Sequence, residues 1–112
     1  MEPIRLGSIL SWNGKRICDA VILQNQIYIS VMYGKDEAKH EEYCLVDSIR
    51  DQIWQPTIFS TNGKQLMRTS LKDGKRCLVT KYGKHNTLEY TTLDELYEQV
   101  EQMIRQKIQK TA

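Results

Sequence analysis

Apolar and polar residues alternate with a period of two through most of this chain, and with a helical period near its C-terminal end. In Ile27–Tyr33, the residues Ile27, Ile29, Val31 and Tyr33 alternate with Tyr28, Ser30 and Met32, as in a strand buried on one face. Further β-rich runs at Ile4–Trp12, Lys15–Leu23, Ile53–Thr61, Lys64–Leu71 and Lys75–Tyr82 predict five more strands. Val21, Ile22 and Leu23 are apolar on both faces, which places their strand inside its sheet. Asn13-Gly14 and Asn62-Gly63 end the first run of each set, and this dipeptide tolerates the two positive φ angles of a type I′ hairpin. Gln24-Asn25-Gln26 and Asp73-Gly74 mark the second turns.

Helical spacing is clearest from Leu93 onward, where Leu93, Leu96, Tyr97, Val100, Met103, Ile104 and Ile108 form one apolar stripe. Thr92 and Glu95 are spaced as a capping box, each satisfying an amide that the first turn leaves unpaired. Asp94 and Glu95 at the start, and Arg105, Lys107 and Lys110 at the end, complement the helix dipole. A shorter helix is expected over Tyr43–Ile53, burying Val46, Ile49 and Ile53 and stopped by Pro56. A strand over Glu42–Val46 is the alternative for its start.

These elements recur. A shift of 49 residues places Ile4 on Ile53, Ile9 on Ile58, Ser11 on Ser60, Asn13-Gly14-Lys15 on Asn62-Gly63-Lys64 and Tyr33-Gly34-Lys35 on Tyr82-Gly83-Lys84. Past Lys84 the offset becomes 47, and Glu42-Tyr43, Asp47 and Gln52 meet Glu89-Tyr90, Asp94 and Gln99. The expected fold is α+β: two tandem βββα repeats, mostly antiparallel, with a long C-terminal amphipathic helix. Residues 1–112 would form a single domain, with units over 4–52 and 53–110, in one sheet or two. A seven-stranded barrel capped by the last helix, like a pleckstrin-homology domain, has a compatible strand count but does not suit the repeat.

At 112 residues and 40% apolar, the chain can bury one core. The longest apolar runs, such as Ala20–Leu23, are far too short to span a bilayer, and no membrane association is expected. Met1-Glu2-Pro3 is not a basic patch leading into an apolar stretch, so no secretory signal is expected. Cys18, Cys44 and Cys77 are odd in number, widely spaced and without a Cys-x-x-Cys pair, which favours reduced thiols in a cytoplasmic protein.

No motif marks a catalytic, metal or nucleotide site, so neither an enzyme nor a cofactor is expected. His40 and Cys44 could share a metal on a helical turn, but with Cys77 and His85 elsewhere they fall short of a tetrahedral set. A Cys–His nucleophilic pair is formally possible from the same residues, yet burial in strands is the default for Cys18 and Cys77. The six glycines stand singly in turn-like contexts, with no phosphate-binding loop.

Charge is unevenly spread. The net charge of +2 conceals a segment, Thr61–His85, that carries Lys64, Arg68, Lys72, Lys75, Arg76, Lys81 and Lys84 against the single acid Asp73, a net of +6. Asp36–Asp51 carries six acids against two bases, a net of −4. A basic sheet can track phosphates and release counterions, so these seven residues are the candidate contacts to DNA or RNA, with Tyr82 and Tyr90 flanking them for stacking. Such a site requires the cations to project from one face, whereas alternation could put Arg76 and Lys81 on opposite sides. Otherwise the lysines are a solvated face and protection for strand edges.

A three-stranded antiparallel sheet followed by a helix resembles, in topology, the integrase-arm DNA-binding domains, which read the major groove with the sheet. The turns Asp73-Gly74-Lys75 and Tyr82-Gly83-Lys84 and the run Tyr90-Thr91-Thr92 carry that likeness. The tryptophan and small-residue positions typical of those domains are not evident.

The rival expectation is a protein-interaction module or small regulator of a larger machine, or self-association through an edge strand. Trp12 and Trp54 lie near equivalent places and are expected to be partly buried, or interface anchors if exposed.

Overall fold

The computed structural model describes residues 2–111, with side chains through residue 108. β1 (Ile4–Leu10), β2 (Arg16–Leu23), β3 (Gln26–Tyr33) and β4 (His40–Leu45) form an antiparallel sheet in sequence order, followed by α1 (Val46–Gln52). β5 (Thr57–Phe59), β6 (Gln65–Lys72), β7 (Lys75–Tyr82) and β8 (Thr87–Thr92) form a second antiparallel sheet, followed by α2 (Leu93–Thr111). The chain is therefore α+β, with two four-stranded sheets and a long C-terminal helix. No helix among the described residues is long and apolar enough to cross a membrane.

Four strands precede each helix where periodicity predicts three. Residues 40–45 pair with β3, so the expected helix over Tyr43–Ile53 begins only at Val46, and the alternative strand at Glu42 is the correct one. Residues 87–92 pair likewise with β7. The same fourth strand separates each half from the three-stranded integrase-arm topology, and two separate sheets replace the single seven-stranded barrel. Ile53 caps α1 rather than opening a strand, and β5 is confined to three residues.

The two kinds of hairpin differ in chemistry. Gln24-Asn25 (φ 54° and 65°) and Asp73-Gly74 (52° and 77°) make the type I′ turns. At Asn13-Gly14 and Asn62-Gly63 only the glycines, at 77° and 81°, are left-handed, so these turns close with a glycine bulge instead. The cause is a serine at the start of each turn. Ser11 Oγ accepts the amides of Asn13 and Lys15 at 3.2 and 3.1 Å, and Ser60 Oγ accepts those of Asn62 and Lys64 at 3.1 Å each.

Each serine turn docks on the other sheet. The Trp12 amide donates to the Tyr90 carbonyl of edge strand β8 at 3.0 Å, and the Thr61 amide to the Tyr43 carbonyl of edge strand β4 at 2.8 Å. Two buried carboxylates complete the docking. Glu89 accepts Ser11 Oγ at 2.6 Å and Asn13 Nδ2 at 3.2 Å, while Glu42 accepts Ser60 Oγ at 2.7 Å and Asn62 Nδ2 at 3.2 Å. The helices add a clamp from the same direction. Gln99 of α2 brackets the Leu10 backbone, accepting its amide at 2.8 Å and donating to its carbonyl at 3.0 Å. Gln52 of α1 accepts the Phe59 amide at 2.7 Å.

One apolar core lies between these elements. It takes Ile9, Cys18, Ala20, Ile29 and Cys44 from the first sheet, Ile58, Met67 and Leu78 from the second, Ile49 from α1, and Leu96 and Val100 from α2. Their burial follows the periods expected, and β2 is interior to its sheet as its two-sided apolar run requires. α2 also crosses β1 at Gly7, where a Cβ would lie 3.2 Å from Met103 Sδ. Thr92 Oγ1 donates to the Glu95 carboxylate at 2.7 Å and accepts the Glu95 amide at 3.1 Å, the expected capping box. Lys110, expected in the last turn, lies outside the described side chains.

Candidate functional site

Alternation along the second sheet sorts the seven candidate cations. The register pairs Arg68 with Val79, Lys72 with Lys75, Val79 with Tyr90 and Lys81 with Leu88. Arg68, Lys72, Lys75 and Lys81 therefore share the outer face with Val79, Leu88 and Tyr90, while Met67 and Leu78 turn inward to the core. All four are exposed. Among the described residues, none of them forms an ion pair with a carboxylate.

The other three candidates are not part of this face. Arg76 is half-buried on the opposite side, as alternation allows, where Nε and Nη2 donate to the Ile53 carbonyl at 3.0 and 2.8 Å. Its Nη2 also donates to Thr69 Oγ1 at 2.9 Å, so this guanidinium ties the end of α1 to the second sheet. Lys64 and Lys84 stand in the turns after β5 and β7.

Aromatic groups meet the patch differently from expectation. Tyr90 lies on the basic face, with the Lys72 ammonium 5.3 Å from its ring centre. Trp12 of the first hairpin stacks on Tyr90 at 5.6 Å with 29° between planes, and its Nε1 donates to the Glu95 carboxylate. Tyr82 sits away from that face, with the Lys15 ammonium 5.6 Å from its ring centre. Nothing in the spacing of Trp12 marks this neighbour, which is distant in sequence and brought close by the docking of the first turn. A shallow depression of about 280 Å³ opens between Arg68 and Lys81, floored by Leu66, Val79 and Leu88.

The outer face of the first sheet has the opposite character. Arg5 pairs with Glu41 and, at 3.4 Å, with Asp19, which Arg16 also holds at 2.9 Å. Ser30 and Tyr43 donate to Glu41 at 3.0 and 2.7 Å. The Arg16 guanidinium keeps the Asp19 carboxyl below its ordinary range. Here the cations pair with carboxylates within the fold, whereas among the described residues the four on the outer face of the second sheet form no such pair.

The thiols and histidines assemble no comparable centre. Cys18, Cys44 and Cys77 are all free and buried in strands, and burial pushes the Cys18 thiol up to about 12. His40 and Cys44 lie on a strand rather than a helical turn, and His40 Nε2 pairs with Glu42 at 2.6 Å. Among the described residues, no group of three or more His, Cys, Asp or Glu is placed to hold a metal. Trp54, expected to be partly buried, is 73% exposed, and Thr61 rather than Trp54 occupies the place in the second hairpin that Trp12 holds in the first.

Comparison with protein-family models, curated proteins and solved structures found no match to this chain.

Proposed function

We propose that this chain is a non-enzymatic nucleic-acid-binding module, contacting the phosphates of DNA or RNA through Arg68, Lys72, Lys75 and Lys81. One observation carries the reading: these four exposed cations share a sheet face and, among the described residues, have no ion-pair partner. Protection of strand edges does not explain Arg68, which is flanked by Thr57 of β5 and Val79 of β7, whereas Lys72 and Lys75 stand at the hairpin end beyond the pairing with β5 and β8. Each phosphate so neutralised releases condensed counterions, which gives binding that weakens steeply with salt.

We further propose that the chain is two tandem copies, over 4–52 and 53–110, each of ββββα order. β2 and β6, and β3 and β7, have bounds that differ by 49 residues, while β4 and β8 differ by 47. On this reading Lys64 and Lys84 repeat Lys15 and Lys35. Arg68, Lys72, Lys75 and Lys81 instead stand where the first copy has Asp19, Leu23, Gln26 and Met32. Each cation on the outer face thus stands where the first copy has a residue that is not basic.

Fluorescence anisotropy with labelled single-stranded and duplex oligonucleotides, at low and near-physiological salt, tests the proposal. The variant Lys72→Glu/Lys75→Glu should bind weakly and with a flattened salt dependence, while Lys64→Glu/Lys84→Glu should lose much less. Equal losses in the two variants, or no binding by the native chain at low salt, would remove the reading.

A protein-interaction module, such as a small regulator, is the second reading. It is favoured by the apolar floor of Leu66, Val79 and Leu88 between Arg68 and Lys81, which suits an acidic segment with an apolar side chain.

A further inference from the structure

A second depression, of about 370 Å³, opens where α1, β7 and α2 meet, lined among others by Arg50, Trp54, Lys75, Arg76 and Asp94. Three cations and one carboxylate give it a positive balance. Trp54 is the most exposed large apolar side chain in the described structure, at 73%. Its ring is nevertheless positioned. The Arg76 guanidinium lies 5.7 Å from the indole centre, and three hydrogen bonds to Ile53 and Thr69 pin that guanidinium in place. The indole therefore has a fixed cationic backing, and most of its surface is left to solvent. Arg50 approaches from α1, its guanidinium 5.5 Å from the Tyr97 ring centre. Lys75 belongs both to this depression and to the basic outer face, so the two surfaces are continuous.

We propose that this depression is a nucleobase subsite for single-stranded nucleic acid which, resting on the nucleic-acid reading above, ends the phosphate track along Arg68, Lys81, Lys72 and Lys75. One unpaired base stacks on Trp54, and its phosphate meets Lys75 and Arg50. The Asp94 carboxylate, in the same lining, accepts a hydrogen bond from a base N–H such as thymine N3–H. Any unpaired base has a π-face that can stack on the exposed side of the indole, and a base held inside a duplex has no face to offer. A protein side chain would not call for the three cations that line the depression, which is why the phosphate-bearing ligand is favoured.

The test compares two labelled probes of equal length, oligothymidylate and an abasic oligodeoxynucleotide that carries phosphates but no bases. Both are titrated by anisotropy against the full chain, Trp54→Ala, and Lys72→Glu/Lys75→Glu. The full chain should bind the thymidylate strand more tightly. Trp54→Ala should lose about five- to hundredfold of that affinity and fall to the abasic level, with its salt dependence kept. Because Trp54 is exposed, the variant should fold normally, and its circular dichroism and thermal midpoint check this. Equal binding of both probes, or a Trp54→Ala variant that binds thymidylate as well as the native chain, overturns the subsite while the phosphate track stands. Absence of binding to either probe at low salt overturns both.

Discussion

Ser11 Oγ donates to the buried Glu89 carboxylate at 2.6 Å across 78 residues of chain, and the same hydroxyl accepts two amides of its own turn. A single side chain thus shapes a hairpin and joins it to the other sheet. Ser11→Ala should cost about 1–3 kcal/mol, because it leaves a buried carboxylate and two amides short of partners. Urea unfolding of Ser11→Ala, Glu89→Gln and the double variant should give a coupling of about 1 kcal/mol. Strict additivity would show that the two groups do not act together.

Gln99 holds the Leu10 backbone at both its amide and its carbonyl. Gln99→Ala should lower stability by about 1 kcal/mol, seen as a lower urea midpoint with an unchanged slope. A variant as stable as the native chain would mean that water replaces the clamp without loss.

His40 introduces a pH dependence. Its Nδ1 faces the Ala38 carbonyl at 3.1 Å and its Nε2 faces Glu42, and both contacts, the carbonyl foremost, raise its pKa above the ordinary 6.5. The nearby Lys64 ammonium opposes this. The Ser60 hydroxyl, with His40 and Asn62, holds the Glu42 carboxyl below its ordinary 4.5. His40 therefore stabilises the fold fully below about pH 6.5 and loses that contribution as pH rises through its higher folded value. Glu42 contributes above its ordinary range and loses it as pH falls. The difference in urea midpoint between the native chain and His40→Asn should be largest near about pH 5–6 and absent by about pH 9. A difference that grows toward alkaline pH would contradict the assignment.

The three thiols should be silent until the chain unfolds. Burial raises the pKa of Cys18, Cys44 and Cys77 and so keeps the reactive thiolate scarce, besides blocking access. An aromatic disulfide reagent at neutral pH should modify none of them rapidly in native buffer and all three in strong denaturant. Rapid native modification at any one position would show that its strand opens readily.

What was legible in the chain was whatever a local period could carry. β2, β3, β6, β7 and α2 repeat apolar residues at strand or helix spacing, and the shared face of Arg68, Lys72, Lys75 and Lys81 follows from alternation once the Asp73-Gly74 turn sets the register. β8 was not expected, and β4 only as the alternative over Glu42–Val46, because Glu42 and Glu89 occupy inward positions and break the apolar alternation. The groups that make those carboxylates tolerable, Ser60 and Ser11, lie 18 and 78 residues away. Distance in sequence likewise hid the stack of Trp12 on Tyr90. Asn-Gly suggested a type I′ turn because the dipeptide permits it, and the preceding serine decided otherwise.

The two dockings that lock the sheets together close loops of very different length, 18 residues from Glu42 to Ser60 and 78 from Ser11 to Glu89. A chain leaving the ribosome N-terminus first can close the short one soon after residue 64 has emerged. The end of β1 has no such partner until β8 and then Gln99 have been made. During synthesis, the first hairpin to be released is the last to be secured. For most of that interval the end of β1 and its tryptophan are held by neither Glu89 nor Gln99, and this is the stretch of chain that a chaperone would meet.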